Sequence, residues 1–202
     1  MRFRPVGADA LLVEVGSVEE ATALYRTARR LGVPATDIVL GARTVLFDGV
    51  GDVAALEGEV RGWSPADEGV QPSVERPVEV PTVYDGPDLD AVARAWDTTT
   101  RDVVAIHTGH EMRVAFCGFA PGFPYCTGLP AGLRVPRLDT PRTRVAPGSV
   151  ALADEYTGVY PAASPGGWRL IGRTELVLWD PGRTPPATLA PGTLVRFVEV
   201  AR

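Results

Sequence analysis

The sequence predicts two successive folds, a small α+β domain over residues 1–76 and an all-β barrel domain over residues 77–202. Three observations support this division. Short strands alternate with helical apolar stripes only in the first part. Short strands separated by Gly and Pro dominate the second part, as in barrels and sandwiches. Residues 64–77 between them are polar and contain three prolines, which is typical of an inter-domain linker.

The first domain is predicted to have the order ββαββα, an α+β sandwich of ferredoxin-like type, with a further strand near Val78. Ser17 has the character of an N-cap for a helix whose apolar stripe ends at Gly32. Asp52 begins a second helix. The strands of this first domain are predicted at residues 2–5, 10–15, 37–40 and 44–47.

The second domain is predicted to begin with a strand and two short helices. The helices cover residues 88–96 and 101–106, and Thr99 or Thr100 caps the second one. We expect no helix after His107. The strands are predicted at residues 78–84, 112–117, 149–153, 158–160, 169–172, 176–179 and 194–200.

The composition limits the classes of function. The formal net charge is −5, which argues against a general role in binding nucleic acid or an anionic membrane. All 20 basic residues are Arg, so arginine positions are more informative than their number. We expect a cytoplasmic protein, since no secretory signal and no membrane-spanning apolar run are visible. Cys117 and Cys126 match no zinc spacing and are interpreted as small apolar residues.

Residues 113–174 are unusually rich in Gly, Pro, Arg and aromatic residues, which predicts a rigid, loop-built site for an anionic or amide-bearing group. Arg142 and Arg144 face the same side of an extended stretch, and Arg137 precedes them. These guanidinium groups suggest an anion site. Asp139 is the alternative, because it would neutralise one of them in a structural ion pair.

His107 is the candidate proton-transfer residue, since histidine titrates near neutral pH. A structural role at a helix C-terminus is equally open. His110 falls in a predicted turn and is expected at the surface. Metal ligation is not expected, since Asp and Glu do not cluster with His at ligand spacing.

Aromatic residues and a glycine turn offer further binding groups. Phe119, Phe123 and Tyr125 either line a pocket or close one end of the barrel. Residues 164–168, Ser-Pro-Gly-Gly-Trp, form either a nest of backbone N–H donors or a structural turn. Ser149 lacks the surroundings of a nucleophilic serine, and the chain has no Walker-type ATP motif.

Four segments, residues 118–125, 140–149, 157–161 and 164–174, resemble the family of the 5-oxoprolinase B subunit, also known as the first subunit of allophanate hydrolase or KipI-type kinase inhibitor. The resemblance implies a cyclophilin-like barrel and a non-autonomous subunit that works with subunits A and C. That complex opens 5-oxo-L-proline to L-glutamate with ATP as co-substrate. The matched positions imply catalytic roles for His107, Arg142 and Arg144. They imply substrate binding by Phe119, Pro121, Gly122, Phe123, Tyr125, Thr157, Tyr160, Ser164, Gly166, Gly167 and Trp168.

Two other activities follow from the same resemblance. One is inhibition of a sensor histidine kinase by docking. The other is a role within a urea carboxylase or allophanate hydrolase system, which would need a biotin-carrying partner. Tyr156 departs from the family pattern, because many members carry Gln before the Thr-Gly pair.

Overall fold

The computed structural model describes residues 1–63 and 76–201. The chain divides into two compact units, Met1–Val74 and Glu75–Arg202. The predicted linker, residues 64–77, therefore lies almost entirely outside the described residues. Each unit is a mixed arrangement of strands and helices. In the described ranges, no helix combines the length and apolarity needed to cross a membrane.

The first unit is a four-stranded antiparallel sheet with two helices. The sheet order is β1-β2-β4-β3, and α1 packs against β3 and β4 while α2 packs against β2. The ferredoxin-like description of this unit stays a prediction. The elements are β1 (Arg2–Val6), β2 (Ala10–Glu14), α1 (Val18–Leu31), β3 (Asp37–Leu40), β4 (Thr44–Asp48) and α2 (Val53–Arg61).

Local signals in the sequence set the ends of α1 and α2. The Ser17 side chain accepts a hydrogen bond from the Glu20 backbone N–H, and the Asp52 side chain accepts one from the backbone N–H of Ala55. Both helices therefore begin at the predicted N-caps. Gly32 ends α1 in the left-handed region at φ 64°, which is the usual glycine C-cap.

The second unit is built on a seven-stranded sheet of order β12-β9-β10-β7-β6-β13-β5. A two-stranded ribbon of β8 and β11 is separate from that sheet. The elements are β5 (Val78–Thr82), α3 (Leu89–Ala95), α4 (Thr100–Gly109), β6 (Met112–Cys117), β7 (Pro124–Thr127), β8 (Arg142–Val145), β9 (Ser149–Ala153), β10 (Tyr156–Val159), β11 (Ser164–Gly166), β12 (Arg169–Arg173) and β13 (Leu194–Glu199).

The two edges of this sheet meet, so that it nearly closes into a barrel. Val83 follows β5 and exchanges two backbone hydrogen bonds of 2.9 Å with Arg173 at the end of β12. A Cβ atom at Gly172 would lie only 2.5 Å from the Val83 carbonyl oxygen. A glycine is therefore required where the two edges approach each other.

Strands β9 and β10 separate two apolar layers, which is the feature that positions the candidate site. Val150 and Leu152 of β9 point into the barrel interior. Ala151 and Ala153 alternate with them and point to the outer face, where Val145 of the β8–β11 ribbon covers them. All five residues of β9 are buried, because the strand has packed side chains on both faces.

The structure differs from the predicted strands in several places. Residues 176–179 do not form a strand, and only Trp179 makes an isolated bridge, to Ala187. The strand predicted near Val78 belongs to the barrel sheet, where it pairs in parallel with β13. The short strands β7, β8 and β11 were not predicted, because each contains Pro, Gly or Arg in place of an alternating apolar pattern. In the described part of the chain no helix follows α4, as expected.

Candidate functional site

A cluster of aromatic rings lies on the outer face of the barrel, beneath the β8–β11 ribbon. Phe123 is its centre, with ring centroids 5.0 Å from Tyr160, 5.2 Å from Tyr125 and 5.3 Å from Trp168. Most pairs are edge-to-face, which is a favourable geometry for aromatic rings. The structure thus brings together the four ring-bearing residues that the sequence placed in three separate segments.

The cluster has a buried base and an exposed rim. Phe123, Tyr160 and Trp168 are almost fully buried, whereas Tyr125 is half-buried and Phe119 is 65% exposed. Phe119 also has φ 68°, a region in which a bulky residue is strained. The buried rings of the base therefore close the outer layer, whereas the rings of the rim face solvent. Each of the two roles predicted for the aromatic residues thus applies to a different part of the cluster.

Gly158 allows the rings to pack directly on β10. A Cβ atom at this position would lie 2.8 Å from Trp168 Cζ3 and 2.9 Å from Phe123 Cε1. The neighbouring Thr157 points the other way and is fully buried. The Thr-Gly pair therefore presents a hydroxyl to the barrel interior and a flat backbone to the aromatic cluster.

Arg142 is engaged in an ion pair that the sequence did not predict. Its Nη2 atom lies 2.8 Å from both carboxylate oxygens of Asp88, and its Nη1 donates to the Trp168 carbonyl at 3.3 Å. Asp88 is buried and also accepts a 2.6 Å hydrogen bond from the backbone N–H of Leu170. The carboxylate that neutralises Arg142 is thus that of Asp88, whereas the sequence suggested Asp139. These contacts join β8 to β12 and to the start of α3.

Arg144 and Arg137, the other two arginines of the predicted anion site, are both exposed. Arg144 makes no ion pair or side-chain hydrogen bond with the residues that the structure describes, and it is exposed. The Arg137 guanidinium lies 5.7 Å from the Trp168 ring centroid, in a cation–π contact. Burial raises the pKa of the Tyr125 phenol, and the nearby Arg137 charge acts in the opposite direction. Arg137 therefore places a positive charge at the aromatic rim.

His107 lies in the barrel interior and is fully buried. Its Nδ1 atom is 2.7 Å from the Tyr84 hydroxyl, and its Nε2 atom is 3.2 Å from Thr157 Oγ1. Burial lowers the pKa of His107 to about 3, so the ring is neutral at pH 7. In this position His107 links α4 to β10 and has no exposed atom with which to contact a substrate.

The remaining predicted site residues contribute backbone groups around the cluster. Ser164 and Gly166 belong to β11, which pairs with β8, and the Gly167 carbonyl accepts a 2.7 Å hydrogen bond from Leu138. The Trp168 backbone N–H donates to the Tyr160 hydroxyl, which lowers the pKa of a phenol that burial raises. The first three residues of the predicted 164–168 segment therefore form a paired strand, and Gly167 and Trp168 follow it.

Pro121 and Gly122 form the turn that positions Phe123. The Phe123 backbone N–H donates to the Ala120 carbonyl at 3.0 Å, and Gly122 has φ 77°. A Cβ atom on Gly122 would lie 2.9 Å from Trp179 Cβ, so the turn packs against the partly exposed Trp179. This contact adds an apolar residue to the surface beside Phe119.

Two residues of this arrangement, Asp88 and Tyr84, are not among the predicted site residues. The Asp88 carboxylate makes no capping bond at the start of α3, so it has a free acceptor for another partner. The contact of Arg137 with Trp168 joins positions 31 residues apart and leaves no local signal in the sequence. Within the described ranges, no group of three or more His, Cys, Asp or Glu is arranged to hold a metal ion.

Comparison with known proteins gives a consistent family assignment. Residues 1–189 match the family described as carboxyltransferase domain, subdomain C and D. The chain is 46% identical over 147 residues to the 5-oxoprolinase B subunit of Escherichia coli O157:H7, covering 71% of this chain and 66% of that protein. It is 34% identical over 209 residues to the 5-oxoprolinase B subunit of Haemophilus influenzae, covering 98% of this chain and 97% of that protein.

Solved structures extend the comparison to the fold. A conserved uncharacterized protein from Pyrococcus horikoshii is 31% identical, with a TM-score of 0.61, and the match covers 100% of this chain and 98% of that chain. The urea carboxylase of Kluyveromyces lactis is 21% identical, with a TM-score of 0.71, over 98% of this chain and 22% of that chain. The likeness to this urea carboxylase shows the fold alone.

The matched part of the chain spans just under two thirds of the Escherichia coli relative, yet nearly all of the Haemophilus influenzae relative. The motifs that carried the resemblance surround the aromatic cluster, and the family match includes all of them. The chain therefore belongs to the family of carboxyltransferase domains, subdomain C and D, which includes the 5-oxoprolinase B subunit.

Proposed function

We propose that this chain is the B subunit of an ATP-dependent 5-oxoprolinase, and that it contributes to ring opening of 5-oxo-L-proline to L-glutamate together with subunits A and C. The observation that carries the proposal is the aromatic rim with Arg137 over Trp168. Relatives named as 5-oxoprolinase B subunits, at 34% and 46% identity, support the choice of substrate.

The substrate has the shape and charge that this rim would accept. 5-Oxoproline is a small, nearly flat lactam with one carboxylate. Its ring would pack on the exposed ring of Phe119 beside the half-buried Tyr125, and its carboxylate would meet the guanidinium group of Arg137 or Arg144. The partly apolar wall and the few charged groups resemble an ordinary small-molecule site.

The chemistry needs an activated amide, because resonance stabilises the lactam. In the proposal, phosphoryl transfer from ATP to the amide oxygen forms ADP and makes the ring carbon electrophilic. Water then adds to that carbon, and the C–N bond breaks as the nitrogen takes a proton, which leaves the acyl phosphate of the opened chain. A second water hydrolyses this acyl phosphate to L-glutamate and phosphate. ATP is a co-substrate of the complex, and we assign it no residues of this chain.

Within this proposal, Arg142 and His107 take roles other than the catalytic ones that the resemblance implies. Arg142 is held by Asp88, so it supports the cluster from below and does not bind the substrate carboxylate. His107 is fully buried and neutral, so it positions β10 through Thr157. Arg144 and Arg137 are then the two arginines of the predicted anion site that we assign to an anionic substrate.

The test is ATP-dependent release of glutamate from 5-oxoproline by this chain mixed with candidate A and C subunits. Omission of this chain should abolish release. We expect Arg137→Ala and Arg144→Ala together to raise KM by about tenfold or more, since a charged hydrogen bond is lost. Arg196→Ala is the matched control, because Arg196 is exposed on β13. Unchanged kinetics in the double variant would rule out the proposed carboxylate site.

A carboxyltransferase role in a urea carboxylase or allophanate system is the second candidate. The family description names a carboxyltransferase domain, and an exposed arginine on an aromatic rim also suits a carboxylated ligand. A reconstituted mixture that carboxylates urea with a biotin-bearing partner, and that fails to open 5-oxoproline, would select this alternative. Docking on a histidine kinase stays a prediction from the resemblance.

A further inference from the structure

The barrel unit has an open cavity away from the aromatic cluster, with a volume of about 510 Å³. It lies between α3, α4 and the last strand, and the residues of the proposed oxoprolinase site do not line it. Its walls combine apolar and polar side chains of several kinds, among them Tyr84, Leu89, Arg101, Val104 and Glu199. The volume is within the range of ordinary small-molecule sites.

Two opposite charges line this cavity without pairing with each other. Arg101 and Glu199 are both exposed, and neither forms an ion pair or a side-chain hydrogen bond with another described residue. Arg101 is followed by Asp102, but that carboxylate is engaged by the hydroxyl groups of Thr98 and Thr99. The cavity therefore offers one free cation and one free anion to a ligand.

Tyr84 supplies a third polar group. Its hydroxyl lies 2.7 Å from His107 Nδ1, and the phenolic O–H can donate a hydrogen bond to that nitrogen of a neutral histidine. The phenolic oxygen then has lone pairs left for a donor. Burial and the negative charge of Glu199 raise the pKa of Tyr84, so the phenol stays protonated and its oxygen lies near the carboxylate.

We propose that this cavity binds a small zwitterion of the free α-amino acid class. Arg101 would take the ligand carboxylate, while Glu199 and the Tyr84 oxygen would take the ammonium group. Leu89 and Val104 would contact an apolar ligand side chain. The proposal is independent of the oxoprolinase activity, because it involves a different cavity.

The probe is L-norvaline, compared with pentanoate and butylamine, each titrated into the full chain and followed by amide chemical shifts. Pentanoate lacks the ammonium group and butylamine lacks the carboxylate. We expect L-norvaline to bind at least about tenfold more tightly than either, because it makes both charged contacts. The shifts should concentrate at the start of α4 and the end of β13.

Charge-removing variants make the test specific. Arg101→Gln should lower the affinity for L-norvaline by about tenfold and leave the affinity for butylamine unchanged. Glu199→Gln should lower the affinity for L-norvaline and leave the affinity for pentanoate unchanged. Both residues are exposed, so folding should be preserved. Arg94→Gln is the control, since Arg94 is exposed on α3 and does not line the cavity. L-Norvaline affinity no greater than that of the single-charge probes, or unaffected by both variants, would overturn the proposal.

Discussion

Arg142 and Arg137 carry the same guanidinium group but differ in their surroundings. Arg142 has a buried carboxylate within 2.8 Å, and its side chain is only 28% exposed. Arg137 is exposed and contacts the Trp168 ring face. The first residue is thus committed to holding the fold together, and the second keeps hydrogen-bond donors free for a ligand.

His107 gives a prediction about the pH dependence of stability. The pKa is about 3 in the folded protein and near 6.5 in the unfolded chain, so the unfolded state binds the additional proton at intermediate pH. Stability should therefore fall as the pH drops from 6.5 towards 3. The His107 contribution amounts to about 2 kcal/mol between pH 7 and pH 5.

The measurement is urea unfolding of the full chain at pH 7, 6 and 5. The His107→Gln variant should have a lower free energy of unfolding at pH 7, and that free energy should lack this part of the pH dependence. Ala105→Gln, at an exposed position of the same helix, is the matched control and should keep the wild-type slope. An identical slope in His107→Gln and the wild type would contradict the burial of a neutral ring.

At the scale of elements, the β8–β11 ribbon is held to the barrel by packing and by one buried ion pair. Val145 packs on β9, and Gly166 pairs with Arg142 within the ribbon. Asp88 connects this ribbon to α3 and, through Leu170, to β12. A single carboxylate thus ties the ribbon to α3 and to β12.

The Arg142–Asp88 pair should therefore contribute substantially to stability. Arg142→Ala leaves a buried carboxylate without its cation, and we expect a loss of about 2–3 kcal/mol, reduced from the fully buried case by partial exposure of the arginine. Asp88→Asn should cost a similar amount. Because both changes break the same interaction, the double variant should cost less than their sum.

Denaturant unfolding of the four proteins of this cycle gives the coupling free energy. The more exposed pair between Arg173 and Asp85, at 3.2 Å, serves as the control. Arg173→Ala should cost less than about 1 kcal/mol. Additive losses at Arg142 and Asp88 would show that the two residues act independently.

At the scale of the whole molecule, apolar surface remains beside the candidate site. Phe119 is 65% exposed, Trp179 is 39% exposed, and Gly122 between them packs against Trp179. Exposed aromatic residues in one area commonly mark contact sites for ligands or other proteins. In the proposed complex, this area would receive the substrate or a neighbouring subunit.

Phe119→Gly separates function from stability at this surface. Phe119 has a positive φ, so glycine should relieve about 1 kcal/mol of strain while it removes an exposed ring. We expect an unchanged or higher Tm for the isolated chain and about a tenfold or greater loss of glutamate release by the reconstituted complex. Calorimetry and the coupled assay give the two readouts.

The control is Val39→Ser, which alters an exposed apolar residue of the first unit. It should change neither the Tm nor the activity appreciably. A lower Tm for Phe119→Gly would mean that the ring stabilises the fold, and full activity would remove Phe119 from the proposed site.

Local signals were sufficient for the capped ends of the helices, for several of the strands and for the family. Ser17 caps the start of α1 and Gly32 ends it, as expected, and Thr99, one of the two predicted caps, caps the start of α4. Capping depends on residues within four positions of each other. Strands β6 and β9 lie where their apolar runs predicted them. The ordered motifs around the aromatic cluster were sufficient to indicate the family.

Tertiary structure alone decided the chemical state of the candidate site residues. Asp88 meets Arg142 across 54 positions, and His107 meets Thr157 across 50. Such contacts depend on how the barrel closes, which no window of neighbouring residues records. The sequence by itself determined which groups were available, and the fold decided which of them are buried and paired and which remain exposed for a ligand.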